Sequence, residues 1–216
     1  MINPFEFFSA IYCINLDTRP DRWSQVQKEF DNVGIKNVIR VSGKIFDRFN
    51  DNKRNACVGN HLSHAYCIEM SYNLYHQNCL IFEDDVQFLY DKNTTWDIMR
   101  QIIEELPDNW DMLYLGGNMD KYKAYRFSEH LVKVDGILST HAYSINRNIM
   151  QKLIIINKDI SILHNDTYYA DNIIPKHNVF IVFPMLAGQR TGYSDIENKN
   201  VDYTPMMLER LKNALR

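Results

Sequence analysis

The sequence predicts an α/β fold in which helices flank a sheet whose central strands are parallel. Short apolar runs alternate with segments whose apolar residues recur at helical spacing, and this alternation is typical of parallel strands joined by right-handed crossovers. The chain has 216 residues and is 45% hydrophobic, so it can bury one sizeable core. We find no repeat, low-complexity tract or linker, and we therefore expect a single domain over residues 1–216.

The first strand is predicted over residues 10–16, which form an apolar run. A helix follows, with Thr18 as its predicted cap and Pro20 in its first turn. Gly34 is expected just past the end of this helix, where glycine is common. A second strand is predicted over residues 37–41.

The next two predicted elements are the longest helix and the most buried strand. Residues 59–75 show apolar residues at helical spacing. Residues 79–82 are short, fully apolar and directly followed by three acids, which is typical of a central parallel strand buried on both faces. The remaining predicted elements are helices near 99–106, 148–156, 166–174 and 204–215, and strands near 110–115, 138–145 and 179–183.

Composition and terminal sequence exclude several classes of partner. The formal net charge of −3 argues against nucleic acid, whose phosphates require a dense basic patch. No apolar run reaches the ~18 residues of a membrane span, and the N-terminal residues do not resemble a secretory leader. The four cysteines show no CxxC spacing and are predicted to be free thiols. We expect a cytoplasmic protein with no nucleic-acid partner and no membrane span.

The acidic triplet Glu83, Asp84 and Asp85 directly follows the predicted buried strand. Two carboxylates about 4 Å apart repel by ~4 kcal/mol at an effective dielectric constant of about 20. A bound cation would offset this repulsion, and oxygen ligands select Mg²⁺ or Mn²⁺. The alternative is a solvated loop of acids, or acids that cap the next helix.

Three blocks of sequence, which occur in a fixed order and include the acidic triplet, indicate a resemblance to a known family. The first block is INLDTRPDRW at residues 14–23. The second consists of VGNHLSH at 58–64 and CLIFEDDV at 79–86, and the third of WDMLYLG at 110–116 and THAYSI at 140–145. Together these blocks resemble glycosyltransferase family 25, which includes lipopolysaccharide sugar transferases and procollagen galactosyltransferases. A weaker likeness continues to about residue 195.

The resemblance implies a GT-A-like fold, a Rossmann-type mixed sheet flanked by helices. It also implies an inverting transfer of a hexose, galactose or glucose, from a UDP-sugar donor with the help of Mn²⁺ or Mg²⁺. The acceptor would be a hydroxyl of a glycan or of hydroxylysine. Residues 8–120 would form the nucleotide-sugar-binding half and residues 121–216 the acceptor-side half. A homodimer is left open.

Ligands of such sheets bind beyond the carboxyl ends of the parallel strands. The residues expected there to contact the donor are Asn15, Leu16, Arg19, Arg22, Ser42, Gly43, Glu83 and Asp84, with Asp85, Asp84 and Glu83 as metal ligands. An arginine fork matches phosphate oxygens. Alternatively, Arg19 and Arg22 pair with Asp17 and Asp21 on the surface, and Gly43 is only a turn.

Inverting transfer also needs a base that takes the proton of the acceptor hydroxyl. By the resemblance, Asp171 matches the family's late acid. Asp166 is the second candidate, with a hydrogen bond to the acceptor or a helix N-cap as its role. Gln189 or Asp195 would supply a late metal ligand, unless the segment around them is a plain surface loop.

Histidines and cysteines near residues 57–67 do not follow the spacing of a zinc site. His64 is expected to form a hydrogen bond in the core or at the pocket, and His141 to be a satisfied core histidine. Two rival functions remain. A nucleotidyltransferase would usually carry a glycine-rich turn after the first strand, which residues 15–19 lack, and a non-catalytic nucleotide-sugar-binding module would not need its acids.

Overall fold

The protein is described by a computed structural model that covers residues 2–194 and 199–215. Its centre is an eight-stranded mixed sheet in the order β2-β1-β3-β8-β5-β9-β7-β6. The strands are β1 (Ile11–Asn15), β2 (Val38–Ser42), β3 (Asn78–Glu83), β4 (Val86–Phe88), β5 (Met112–Tyr114), β6 (Ala124–Arg126), β7 (Leu131–Val134), β8 (Ala142–Asn146), β9 (Val179–Val182), β10 (Ala187–Gln189), β11 (Gly192–Ser194) and β12 (Lys199–Val201).

The helices are α1 (Pro20–Val33), α2 (Asn52–Asn73), α3 (Lys92–Glu105), α4 (Arg147–Lys158), α5 (Asn165–Tyr168) and α6 (Thr204–Ala214). Short turns of other helical types lie at Pro4–Phe7, Tyr169–Ile173 and Ile174–Lys176. Within the described residues, no helix is both long enough and apolar enough to cross a membrane.

Strands β1, β2 and β3 are parallel, and their register aligns their carboxyl ends. Asn15 pairs with Ser42 on one side, and Ile14 pairs with Glu83 on the other. The first five residues of β3 are buried, as its continuous apolar sequence predicts for a strand covered on both faces. The ends of three strands therefore form one polar rim, as the sequence predicts.

The predicted start of α1 is wrong in one detail. Arg19, not Thr18, is the N-cap residue, and its side chain makes no capping hydrogen bond. Pro20 still occupies the first turn, where its missing N–H costs nothing. Gly34 ends the helix with φ of 72°, in the left-handed region that glycine adopts freely.

Helix α2 begins seven residues earlier than its apolar pattern predicts. Asp51 caps it by accepting a hydrogen bond from the Arg54 backbone N–H at 3.0 Å. The first turns of α2 are polar and therefore carry no apolar signal, although residues 57–71 pack against β1, β3 and α4. The missed turns matter, because they line the polar rim.

The second half of the sheet is more mixed than the apolar runs indicate. Strand β8 lies antiparallel between β3 and β5, whereas β5 and β9 are parallel. Strands β4, β6, β7, β10, β11 and β12 were not predicted, because each is only three or four residues long and, unlike β5, does not lie within a longer strand-like run. Helix 166–174 is replaced by α5 and two short turns.

Two hydrophobic cores cover the two faces of the sheet. One includes residues of α2, α4 and α6, and the other includes residues of α1, α3 and the first turn of the chain. The backbones cross closely at Gly116, where a Cβ atom would lie 1.7 Å from the Ala187 carbonyl oxygen. Only a residue without a side chain fits that approach.

We predict that Gly116→Ala destabilises the protein by about 2–4 kcal/mol, because the methyl group overlaps a backbone atom that cannot move without displacing β10. Gly192→Ala is the matched control, since a Cβ there meets no atom within 4 Å. Chemical unfolding of both variants measures the difference. Equal stabilities would contradict the close approach at Gly116.

Candidate active site

Two adjoining cavities lie at the rim. The first, which we call the rim cavity, has a volume of about 420 Å³. Its lining residues are Ile14, Asn15, Leu16, Arg22, Gly43, Lys44, Ile45, Phe46, Asp47, Asn52, Asn55, Ala56, Gly59, Asn60, Ser63, Glu83, Asp84, Asp85 and Gln189.

The second, the side cavity, has a volume of about 290 Å³. Its lining residues are Cys57, Asn60, His61, Glu83, Asn118, Leu138, Ser139, Thr140, His164, Asn165, Asp166, Gln189, Tyr203 and Met207. Asn60, Glu83 and Gln189 belong to both linings. Two ligands bound side by side would meet at these three residues.

Asn15 ties the end of β1 to the acids after β3. Its Nδ2 donates to Asp84 Oδ2 at 2.7 Å and to the Arg19 carbonyl oxygen at 2.9 Å, while its Oδ1 accepts from Arg40 Nε and Nη2 at 2.9 and 2.8 Å. Asn15 is buried. Its amide is therefore engaged on both sides within the protein, and its main effect is to hold Asp84 in place.

Asp84 is buried and forms an ion pair with Arg22, whose Nη1 lies 3.1 Å from Asp84 Oδ1. Burial raises the pKa of Asp84, whereas the Asn15 hydrogen bond and the Arg22 charge lower it. Arg22 pairs with Asp84 and lines the rim cavity. The surface pairing with Asp21 that the sequence allowed is instead made by Arg19, at 2.9 Å.

Glu83 lines both cavities and belongs to a second network of hydrogen bonds. His64 Nε2 donates to Glu83 Oε1 at 3.2 Å, Thr140 Oγ1 donates to the same oxygen at 3.0 Å, and the Tyr143 hydroxyl lies 3.0 Å from His64 Nδ1. Burial alone would raise the pKa of Glu83, but the hydrogen bonds from His64 and Thr140 and the charges of His64 and His141 hold it below its usual range. Glu83 is thus a fixed carboxylate.

Asp85 differs from its two neighbours because one of its oxygens has no partner. Gln189 Nε2 donates to Asp85 Oδ2 at 3.2 Å, but the buried Oδ1 accepts no hydrogen bond. Burial, with the charges of Glu83 and Asp84, raises the pKa of Asp85 to about 7. An unsatisfied buried carboxylate is costly unless a cation or a proton compensates it.

The triplet therefore does not act as one three-carboxylate cluster. Glu83 faces His64 and Thr140, Asp84 faces Asn15 and Arg22, and Asp85 faces Gln189. In residues 2–194 and 199–215, no three His, Cys, Asp or Glu side chains are grouped so that they could hold a metal ion. The donor set left for a cation is Asp85 with the Gln189 amide, and Asp195 lies outside the described residues.

The other predicted donor residues separate into two groups. Leu16 and Gly43 line the rim cavity and touch each other, since a Cβ on Gly43 would lie 2.9 Å from Leu16 Cδ2. Arg19 and Ser42 are outside that lining. Ser42 Oγ donates instead to Asp17 Oδ1 at 2.9 Å.

The two predicted bases lie in different places. Asp166 lines the side cavity, and its Oδ2 accepts a hydrogen bond from the Ser139 backbone N–H at 3.0 Å. Asp171 lines neither cavity and is exposed. It accepts from the Tyr122 hydroxyl at 2.8 Å and lies 3.8 Å from Lys121 Nζ.

One wall of the rim cavity was missed by the sequence analysis. The segment 44–49 is held against α2, because Ser63 Oγ accepts from the Lys44 N–H at 2.8 Å and the Asn55 amide bonds both backbone groups of Phe49. A Cβ on Gly59 would lie 2.4 Å from the Lys44 carbonyl oxygen. The signal available in the sequence was small and polar residues at helical spacing from 52 to 63.

The chain is similar in structure to solved proteins of low sequence identity. A glycosyltransferase involved in the glycosylation of the major capsid of PBCV-1 is 9% identical, with 88% of this chain and 95% of that chain covered and a TM-score of 0.53. A197 from STIV is 13% identical over 89% and 92% of the two chains, with a TM-score of 0.48. No known family profile and no curated protein matches the sequence. The first likeness confirms the predicted GT-A-like mixed α/β fold.

We predict that Asp85→Asn stabilises the metal-free protein increasingly as pH rises. Asp85 has a folded pKa of about 7 against an ordinary value of 3.8, so between these values the folded state holds a proton that the unfolded state has released, and stability falls as pH increases. The variant lacks this dependence. Unfolding in EDTA should show its advantage growing by about 2 kcal/mol from pH 5 to pH 8.

Asp108→Asn, at an exposed acid, is the matched control and should follow the wild type at every pH. An Asp85→Asn variant with the pH dependence of the wild type would contradict the buried, unpaired state of this carboxyl group.

Proposed function

We propose that this chain is a metal-dependent, inverting glycosyltransferase that uses a UDP-hexose. The donor would occupy the rim cavity and the acceptor hydroxyl the side cavity, so that the reacting atoms meet beside Glu83 and Gln189. The observation that carries this proposal is the unpartnered, buried oxygen of Asp85, a rim-cavity residue whose hydrogen-bond partner Gln189 lines both cavities. The predicted family resemblance and the fold agree with it.

A divalent cation suits the charge of the rim cavity. Among the residues that the structure describes, four acids line it, Asp47 with the triplet, against the cations Arg22 and Lys44. A diphosphate would therefore meet a net negative wall. Mn²⁺ or Mg²⁺, held by Asp85 and the Gln189 amide, fits this set of oxygen ligands, and when bound it would stabilise the charge of the leaving diphosphate.

The chain's own residues would perform the other parts of the transfer. Leu16, Gly43 and the segment 44–49 would border the nucleoside, and Arg22 would face the phosphates. Asp166 would take the proton of the acceptor hydroxyl as that oxygen bonds to the anomeric carbon and the bond from this carbon to the diphosphate breaks, releasing UDP. Of the two predicted bases, Asp166 is preferred because it lines the side cavity. The acceptor would be a hydroxyl of a glycan or of hydroxylysine.

Binding and turnover test the donor site separately. We expect UDP with Mn²⁺ to raise the melting temperature of the wild type by several degrees, because a ligand that binds the folded state stabilises it. UDP-galactose or UDP-glucose should release UDP. Asp85→Ala should lose the metal-dependent part of both signals, whereas Asp108→Ala should retain them.

The outcomes distinguish the rival functions. Stabilisation by UDP-sugar without UDP release, even with a broad acceptor mixture, would indicate a non-catalytic binding module. Pyrophosphate formed from UTP and a sugar 1-phosphate would indicate a nucleotidyltransferase. No response to any nucleotide with or without Mn²⁺ would refute the proposal.

The base is tested by a pair of matched variants. We predict that Asp166→Asn lowers the transfer rate by about 10²–10⁴-fold while UDP with Mn²⁺ still raises the melting temperature, because a general base contributes that much to rate and little to donor binding. Asp171→Asn should stay within about threefold of the wild type. The reverse result would assign the base to Asp171, as the family resemblance implies.

A further inference from the structure

The two cavities differ in the charged groups that line them. Arg22 and Lys44 line the rim cavity. In the described part of the chain, the side cavity is lined by no lysine or arginine, although the carboxylates of Glu83 and Asp166 both border it. An anion bound there would meet two like charges, and no lysine or arginine of that lining would compensate them.

The nearby basic groups do not change this balance. Arg210 Nη1 donates to Asn118 Oδ1 at 2.9 Å from outside the lining, but it also lies 2.9 Å from Asp120 Oδ1, which neutralises it. His61 Nε2 accepts from the Asn165 backbone N–H at 2.9 Å, which places the ring proton on Nδ1. Burial lowers the pKa of His61 to about 4, and His61 is therefore neutral at pH 7.

Besides the imidazoles of His61 and His164 and the apolar side chains of Leu138 and Met207, most of the side-cavity lining consists of uncharged polar side chains. Amides from Asn118 and Asn165 and hydroxyls from Ser139 and Thr140 can donate to or accept from ligand hydroxyls. Tyr203 adds an aromatic surface. Neutral donors and acceptors around one aromatic ring are suited to an uncharged, hydroxyl-rich molecule.

We propose that the side cavity selects an acceptor without an anionic group, an uncharged sugar, and rejects sugars that carry a phosphate or carboxylate near the reacting hydroxyl. This rests on the proposed function and narrows its acceptor class. A phosphate or carboxylate next to Glu83 and Asp166 would be desolvated beside like charges, which is unfavourable when no lysine or arginine of the lining compensates them.

The test measures UDP release from the preferred UDP-hexose with Mn²⁺ at pH 8, where imidazoles are ordinarily uncharged. Methyl glucoside and methyl galactoside are compared with the matching uronides and 6-phosphates. We expect the neutral sugars to increase UDP release above hydrolysis, and each anionic match to be used at least about tenfold less well.

A matched pair of variants tests whether charge is the cause. Leu138 is a half-buried residue of the side-cavity lining whose backbone pairs with Asn118. Leu138→Lys should raise the rate with anionic relative to neutral acceptors by about tenfold, and Leu138→Gln, of similar length but uncharged, should not. The ratio of rates cancels any general loss of activity.

Three results would overturn the proposal while leaving the proposed function intact, provided that the donor is hydrolysed. The first is that anionic acceptors are used as well as the matching neutral sugars. The second is that no neutral sugar increases UDP release, and the third is that Leu138→Lys leaves the ratio of anionic to neutral rates unchanged. If UDP-sugars are neither bound nor hydrolysed, the proposed function itself fails and this inference fails with it.

Discussion

The arrangement of the site depends on how three consecutive carboxylates, the buried Asp84 between the half-buried Glu83 and Asp85, are held at the end of β3. Each of them is accommodated by a different group. Glu83 accepts hydrogen bonds from a buried histidine and a threonine. Asp84 accepts hydrogen bonds from the Asn15 amide and the Arg22 guanidinium. Asp85 keeps one oxygen unpaired. Because Glu83 and Asp84 already have these partners, Asp85 is the carboxylate of the triplet that still has an uncompensated oxygen.

These compensating groups come from distant parts of the chain and join the sheet to its surroundings. Asn15 reaches Asp84 from the end of β1, His64 reaches Glu83 from α2, and Gln189 reaches Asp85 from the end of β10. Strand β10 is in turn paired with β4, which begins immediately after the acids. This short antiparallel pairing places the end of β10 at the rim. The site therefore contains residues from both halves of the sequence.

The same construction separates two environments that share an edge. The wall of the rim cavity formed by segment 44–49 is fixed on α2 by Ser63, Asn55 and the close approach at Gly59. The side cavity lies beyond Asn60 and Glu83 and receives Asp166 from the start of α5. The rim cavity, which Arg22 and Lys44 line, thus lies beside a side cavity whose described lining contains no lysine or arginine, and Asn60, Glu83 and Gln189 form their common boundary.

Sequence patterns alone were sufficient to predict the α/β class, the parallel strands β1 to β3 and the position of the acids on their common rim. These follow from local patterns: continuous apolar runs, helical spacing, and a glycine at the end of α1. The sequence also named Arg22, Gly43 and Asp85, which do line the rim cavity. Short-range periodicity is sufficient for such features, because each is encoded within one element and the residues that follow it.

The packing of distant elements determines which of the named residues share a cavity and what each acid contacts. Arg19 and Arg22 are three residues apart with similar neighbours, yet one pairs with Asp21 and the other with Asp84. The family resemblance favoured Asp171 over Asp166 as the base, but Asp166 and not Asp171 lines the side cavity. Pairings between residues about 20 to 100 positions apart depend on strand order and helix packing, which no local pattern contains.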